Sequence, residues 1–160
     1  MVATNTSSTS EENGRSFYGR GDVFTWIQQR LAQQSPTQPI VLYGPPRIGK
    51  TAVLNQILDG KCGRDVVPVY INFDKLLYES LSIFLADLAK TAVHALQAAG
   101  YALELPNNAD FVVNPYQAFS NQFLLPALEK LGKRKLLLLC DNLNLLFNAE
   151  HKGSLAPQTF

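Results

Sequence analysis

Apolar residues fall along this chain in two rhythms, short unbroken runs and stripes at helical spacing, and their alternation predicts a layered α/β domain. The runs at residues 39–43, 66–73 and 135–141 read as strands. Pro68 places the second run at a sheet edge or a strand start, whereas four consecutive leucines, Leu136 to Leu139, mark the third as a central parallel strand covered on both faces. Helices are expected over residues 23–34, with Asp22 as cap and Val23, Trp26, Ile27 and Leu31 on one stripe, and over 52–58. A long helix over 79–99 follows, with Leu81, Phe84, Leu85, Leu88, Ala92, Val93 and Leu96 on one face and Gly100 at its end. After a loop at 101–113, Asn114-Pro115 starts a helix that Pro126 should kink and Gly132 should end. Strand, helix, strand, helix, strand implies a parallel sheet with right-handed crossovers.

At 160 residues and 46 % hydrophobic, the chain can bury one ordinary core, so residues 15–150 are read as a single domain. Residues 1–14, almost without large apolar side chains, are expected to be a disordered leader, and 151–160 a flexible tail. A formal charge of +1 gives no footprint for nucleic acid, and Lys133-Arg134-Lys135 reads as the solvated start of a strand. No run approaches the ~20 apolar residues of a membrane span, and a signal-peptide core is missing, so the expected location is cytoplasmic with no membrane partner. Cys62 and Cys140 belong to no metal-ligand pattern and imply no disulfide framework, and His94 reads as a helix-surface residue.

One stretch carries chemistry. Gly44-Pro45-Pro46-Arg47-Ile48-Gly49-Lys50-Thr51 fits the phosphate-loop pattern G-x-x-x-x-G-K-[ST], between a strand and a helix as that pattern requires. Phosphate binding needs main-chain amides converging on a small volume, and Gly44 and Gly49 keep side chains out of it. Lys50 adds a charge, a helix starting at about Gly49 and running on through Ala52 would aim its free amides at the same phosphates, and the Thr51 hydroxyl can coordinate Mg²⁺. Asp141, at the carboxyl end of the third run, stands where a Mg²⁺-binding carboxylate is needed. Together these predict ATP or ADP with Mg²⁺. No Asn-Lys-x-Asp stretch follows for guanine.

With Phe17-Tyr18-Gly19-Arg20 before the loop and Leu138-Leu139-Cys140-Asp141-Asn142 after it, the chain resembles the signal-transducing STAND ATPases and the related archaeal-type and initiator ATPases close to AAA+. The resemblance, over about residues 16–148, implies a three-layer P-loop sandwich with at least three strands in the order 2-3-1. It puts Tyr18 and Arg20 near the adenine, and Lys50, Asp141 and the residue at 142 in the catalytic set. That family usually has an acid after the Walker B aspartate; here it is Asn142, which cannot accept a proton, so slow hydrolysis is expected. Asp74 and Glu79 are the nearest carboxylates that could substitute, with helix capping as their ordinary role. The family also continues through further strands and a helical lid for which residues 151–160 leave no room, so the chain is expected to be a part of such a domain. An uncovered edge at 39–43 should then attract a protein partner, a second copy or the tail. The alternatives are an active AAA+-like ATPase, a small-molecule kinase, or an interaction domain without turnover.

Overall fold

A computed structural model describes residues 21–32, 39–144 and 146, and the protein is a mixed helix and strand fold around a parallel pair of strands. The leader, the Phe17-Tyr18-Gly19-Arg20 box and the 151–160 tail lie outside the described residues. Helix α1, Gly21–Ala32, belongs to a unit separate from the one that begins at Pro39. Within α1, Ile27 and Leu31 share the buried stripe, Thr25 Oγ1 bonds the Gly21 carbonyl at 3.1 Å, and the Arg30 guanidinium lies 5.6 Å from the Trp26 ring centre.

The second unit is built on strand β1, Val66–Asn72, and strand β2, Lys135–Asp141, which run parallel in a register that sets Val66 beside Lys135 and Asn72 beside Asp141. In β1 the strand period of two is plain, since Val67, Val69 and Ile71 turn into the core while Pro68, Tyr70 and Asn72 face the half-buried side. Helix α2, Lys50–Gln56, runs on through one wider turn at Ile57–Lys61, where Gly60 at φ 91° takes a backbone angle that suits glycine.

The core is closed by helix α3, Leu81–Ala98, whose Ser80 hydroxyl caps the Ile83 amide and whose Ala89, Ala92, Val93 and Leu96 are fully buried. Small alanines let α3 lie close to β1, and Phe84 fills the remaining space against Phe73 and Tyr78. Gly100 at φ 91° ends the helix as the sequence implies. Beyond it come the short helices α4, Asn108–Val113, and α5, Pro115–Phe119, then a wide turn at Ser120–Leu124 and helix α6, Leu125–Leu131. Phe111 and Phe123 anchor this region, at 1 % and 0 % exposure.

Three expectations change. Residues 39–43 enter no ladder among the described residues, so the sheet there has two strands and the order 2-3-1 is not seen. Their alternation survives, with Ile40 and Leu42 turned partly inward and Val41 and Tyr43 exposed, because an apolar rhythm sets which side chains hide but not which backbone lies alongside. Strand β2 is correspondingly less covered than a central strand: only Leu139 is buried, and Leu138 is exposed. The segment 101–113, expected as a loop, ends in α4 because the Asn107 side chain caps the Ala109 amide at 3.2 Å and Phe111 docks its single turn and a half. The helix expected over 115–131 is present, as α5, the wide turn and α6 following one another without a gap up to Gly132, and its irregular turn falls just before Pro126, which has no amide hydrogen and whose ring crowds the carbonyl four residues back.

Candidate nucleotide and metal site

The loop at 44–51 closes on its own lysine. Lys50 Nζ donates to the carbonyl of Gly44 at 2.8 Å and to that of Pro45 at 3.0 Å, which draws the start of the loop back over the first turn of α2. Such curvature needs unusual backbone angles at Gly44 (φ 155°), Arg47 (φ 64°) and Gly49 (φ 91°). A Cβ at Gly44 would sit 3.1 Å from Ile48 Cγ2, close enough that the exposed Ile48 side chain would have to shift by a few tenths of an ångström, so the backbone angle is the stronger reason for glycine there. Arg47 holds a left-handed conformation that costs roughly 1–2 kcal/mol for a residue with a Cβ. Pro45, Pro46 and Ile48 are exposed along the curve, and Ala52 lies half-buried in α2.

Thr51 follows Lys50 on α2, and its Oγ1 donates to Asp141 Oδ2 at 2.9 Å, across 90 positions of sequence. The two residues assigned to a magnesium ion from separate motifs are therefore in direct contact. Asp141 is further held by the Tyr70 hydroxyl, which donates to the same Oδ2 at 2.9 Å, and by the Asn142 amide, which donates to Oδ1 at 3.0 Å. Burial, the bond to Asp141 and the negative charges of Asp141 and Asp74 push the Tyr70 hydroxyl up to about 12, so it stays a donor. Among the described residues no group of three or more His, Cys, Asp or Glu side chains gathers to hold a metal. Thr51 Oγ1 and Asp141 Oδ2 are the oxygens that could meet a hard cation, and a set this small would need phosphate and water to complete the shell.

Asn142, also left-handed at φ 60°, is the residue type that tolerates this angle best after glycine. Its Nδ2 donates to Asn72 Oδ1 at 3.1 Å and to Asp74 Oδ2 at 2.6 Å. Asp74 therefore faces Asn142 and caps no helix: the cap of the short turn at Phe73–Lys75 is Asn72, whose Oδ1 accepts the Asp74 amide at 3.0 Å, and the cap of α3 is Ser80. Glu79 is exposed just before that cap. The register of β1 and β2 explains the meeting, since it ends both strands side by side at Asn72 and Asp141.

Tyr70 and Asn72 were not marked by any motif. The available signal is their parity: both stand at the partly exposed positions of a strand whose alternate residues are aliphatic and buried. Tyr18 and Arg20, assigned to the adenine by resemblance, lie outside the described residues. The cysteines are free; burial pushes the Cys62 thiol up, and Cys140, although exposed as a residue, sits near enough to the core for burial to push its thiol up too. A cleft of about 270 Å³ lined by Leu77, Ile83, Ala86, Asp87, Lys90 and Val112 shares no residue with the polar cluster. Among the described residues no helix is long and apolar enough to cross a membrane. In comparison with known proteins, no family model, no curated protein and no solved structure matches this chain.

Proposed function

We propose that this chain is an ATP- and ADP-binding P-loop module of the regulatory, STAND-like kind, in which Mg²⁺ is shared between Thr51, Asp141 and the nucleotide phosphates and hydrolysis is slow. The observation that carries the reading is the 2.9 Å bond from Thr51 to Asp141, which brings a phosphate-loop hydroxyl and a strand-end carboxylate together from opposite ends of the domain sequence. Support comes from the curled loop around Lys50, whose ammonium now bonds two main-chain carbonyls that an anion would displace. Gly44 to Thr51 would cradle the phosphates, and Mg²⁺ would supply charge neutralisation at the phosphate oxygens. Three strands in a P-loop sandwich, with 39–43 as one of them, would complete the fold, and a second copy or a protein partner on the sheet edge would couple nucleotide state to assembly.

Melting the protein with Mg-ATP, Mg-ADP and Mg-GTP tests this reading. The adenine nucleotides at about 100 times their dissociation constants should stabilise the fold by about 2.7 kcal/mol. The guanine nucleotide at the same concentration should give less. No stabilisation by any of the three would overturn the proposal.

A further inference from the structure

The side chain after the strand-end aspartate is an amide, yet a carboxylate stands 2.6 Å from it. Asp74 leaves the end of β1 in a short turn whose geometry is set by its own amide bonding Asn72 Oδ1, and Asn142 Nδ2 bridges Asn72 Oδ1 and Asp74 Oδ2. The Asn142 amide group therefore donates both to a neighbouring acid and to the asparagine that holds that acid's turn. Asp74 is exposed, so water reaches it, and it lies one side chain away from Asp141 through Asn142, which also bonds Asp141 Oδ1 by its main-chain amide. The Tyr70 hydroxyl, in contact with Asp141, also feels the charge of Asp74, which places both carboxylates around one spot.

We infer that Asp74 is the proton acceptor for the attacking water, positioned by Asn142 and Asn72, so that the acid missing after Asp141 is supplied from the end of the adjacent strand. The inference rests on the nucleotide reading above. In the step it describes, a water held at Asp74 gives one proton to the carboxylate while its oxygen forms a bond to the γ-phosphorus of ATP. The bond from that phosphorus to the β–γ bridging oxygen breaks, its electron pair stays on ADP, and inorganic phosphate leaves. The proton passes from Asp74 to solvent, which restores the carboxylate. Asn142 does not transfer a proton but holds Asp74, and an exposed acid held at its carboxylate by that amide fits the slow turnover proposed above.

The test pairs Mg-ATP binding by calorimetry with single-turnover hydrolysis in the parent, Asp74→Asn and Asn142→Ala. The expected result is adenine-nucleotide affinity close to the parent's in both variants and a melting temperature close to the parent's in Asp74→Asn, lower in Asn142→Ala because alanine tolerates the left-handed backbone less well, with hydrolysis about 10²-fold slower in Asp74→Asn, the lower end of what loss of a general base removes. Asn142→Ala should slow it less, because it loosens the acid without deleting it, and Asp74→Glu should restore part of the rate. Tight binding with turnover indifferent to Asp74, or no turnover in the parent, would overturn this assignment alone. Failure of the parent to bind Mg-ATP would overturn the nucleotide reading as well.

Discussion

Lys50→Ala is expected to abolish the stabilisation that Mg-ATP gives the parent, about 2.7 kcal/mol at 100 times the dissociation constant, while leaving the ligand-free protein nearly as stable as before. The asymmetry follows from where the ammonium sits. In the ligand-free protein it donates to the Gly44 and Pro45 carbonyls, at 2.8 and 3.0 Å, at the rim of an exposed loop where water can replace it, so its net contribution is at most about 1–2 kcal/mol. Against a polyphosphate it is a full charge at the centre of the loop's curve, and the loop's other cation, Arg47, is exposed on its outer part. Thermal melts of parent and variant, with and without Mg-ATP, separate the two effects. An undiminished ligand shift in Lys50→Ala would show that the nucleotide, if bound, is bound elsewhere.

Phe123→Ala should destabilise the fold by about 3–5 kcal/mol, a large share of the 5–15 kcal/mol typical of a domain. Phe123 has no exposed surface, and its ring packs edge-on against Phe119 with centroids 5.1 Å apart. It lies in the wide turn between α5 and α6, where the helical hydrogen bonds are already rearranged ahead of Pro126, so the backbone there depends on side-chain burial more than a regular helix does. Phe123→Leu should recover most of the loss, because it refills most of the volume. Urea unfolding of both variants checks this, and a midpoint for Phe123→Ala equal to the parent's would remove Phe123 from the core.

Much of the fold is legible locally and little of the site's support is. The eight-residue motif and the leucine run ending in Asp141 predict Thr51 and Asp141 as partners, and the chain brings them to 2.9 Å. The β1, β2 and α3 boundaries follow from periodicity, from β-branched residues and from Gly100, all written within a few positions of where they act. By contrast Tyr70, Asn72 and Asp74 acquire their roles through the register of two strands nearly 70 residues apart, and register is not carried by either strand alone. Residues 39–43 illustrate the same limit: their pattern gives an extended segment with one inward face, while pairing depends on a neighbour. The short helix α4 escaped because one buried phenylalanine and an asparagine cap are too few positions to show a helical period. Asn142 is a further case, in which a residue that looks like a lost acid in the sequence becomes, with its left-handed backbone and its bond to Asp74, a holder of one.

The central claim is that Thr51 and Asp141 share a magnesium ion with a bound nucleotide. Calorimetric titration of ATP into the parent, Thr51→Val and Asp141→Asn, each with and without Mg²⁺, tests it most directly. Mg²⁺ should tighten ATP binding to the parent by about tenfold or more, some 1.4 kcal/mol, and should have little effect in either variant. An equal Mg²⁺ effect in all three proteins would contradict the account.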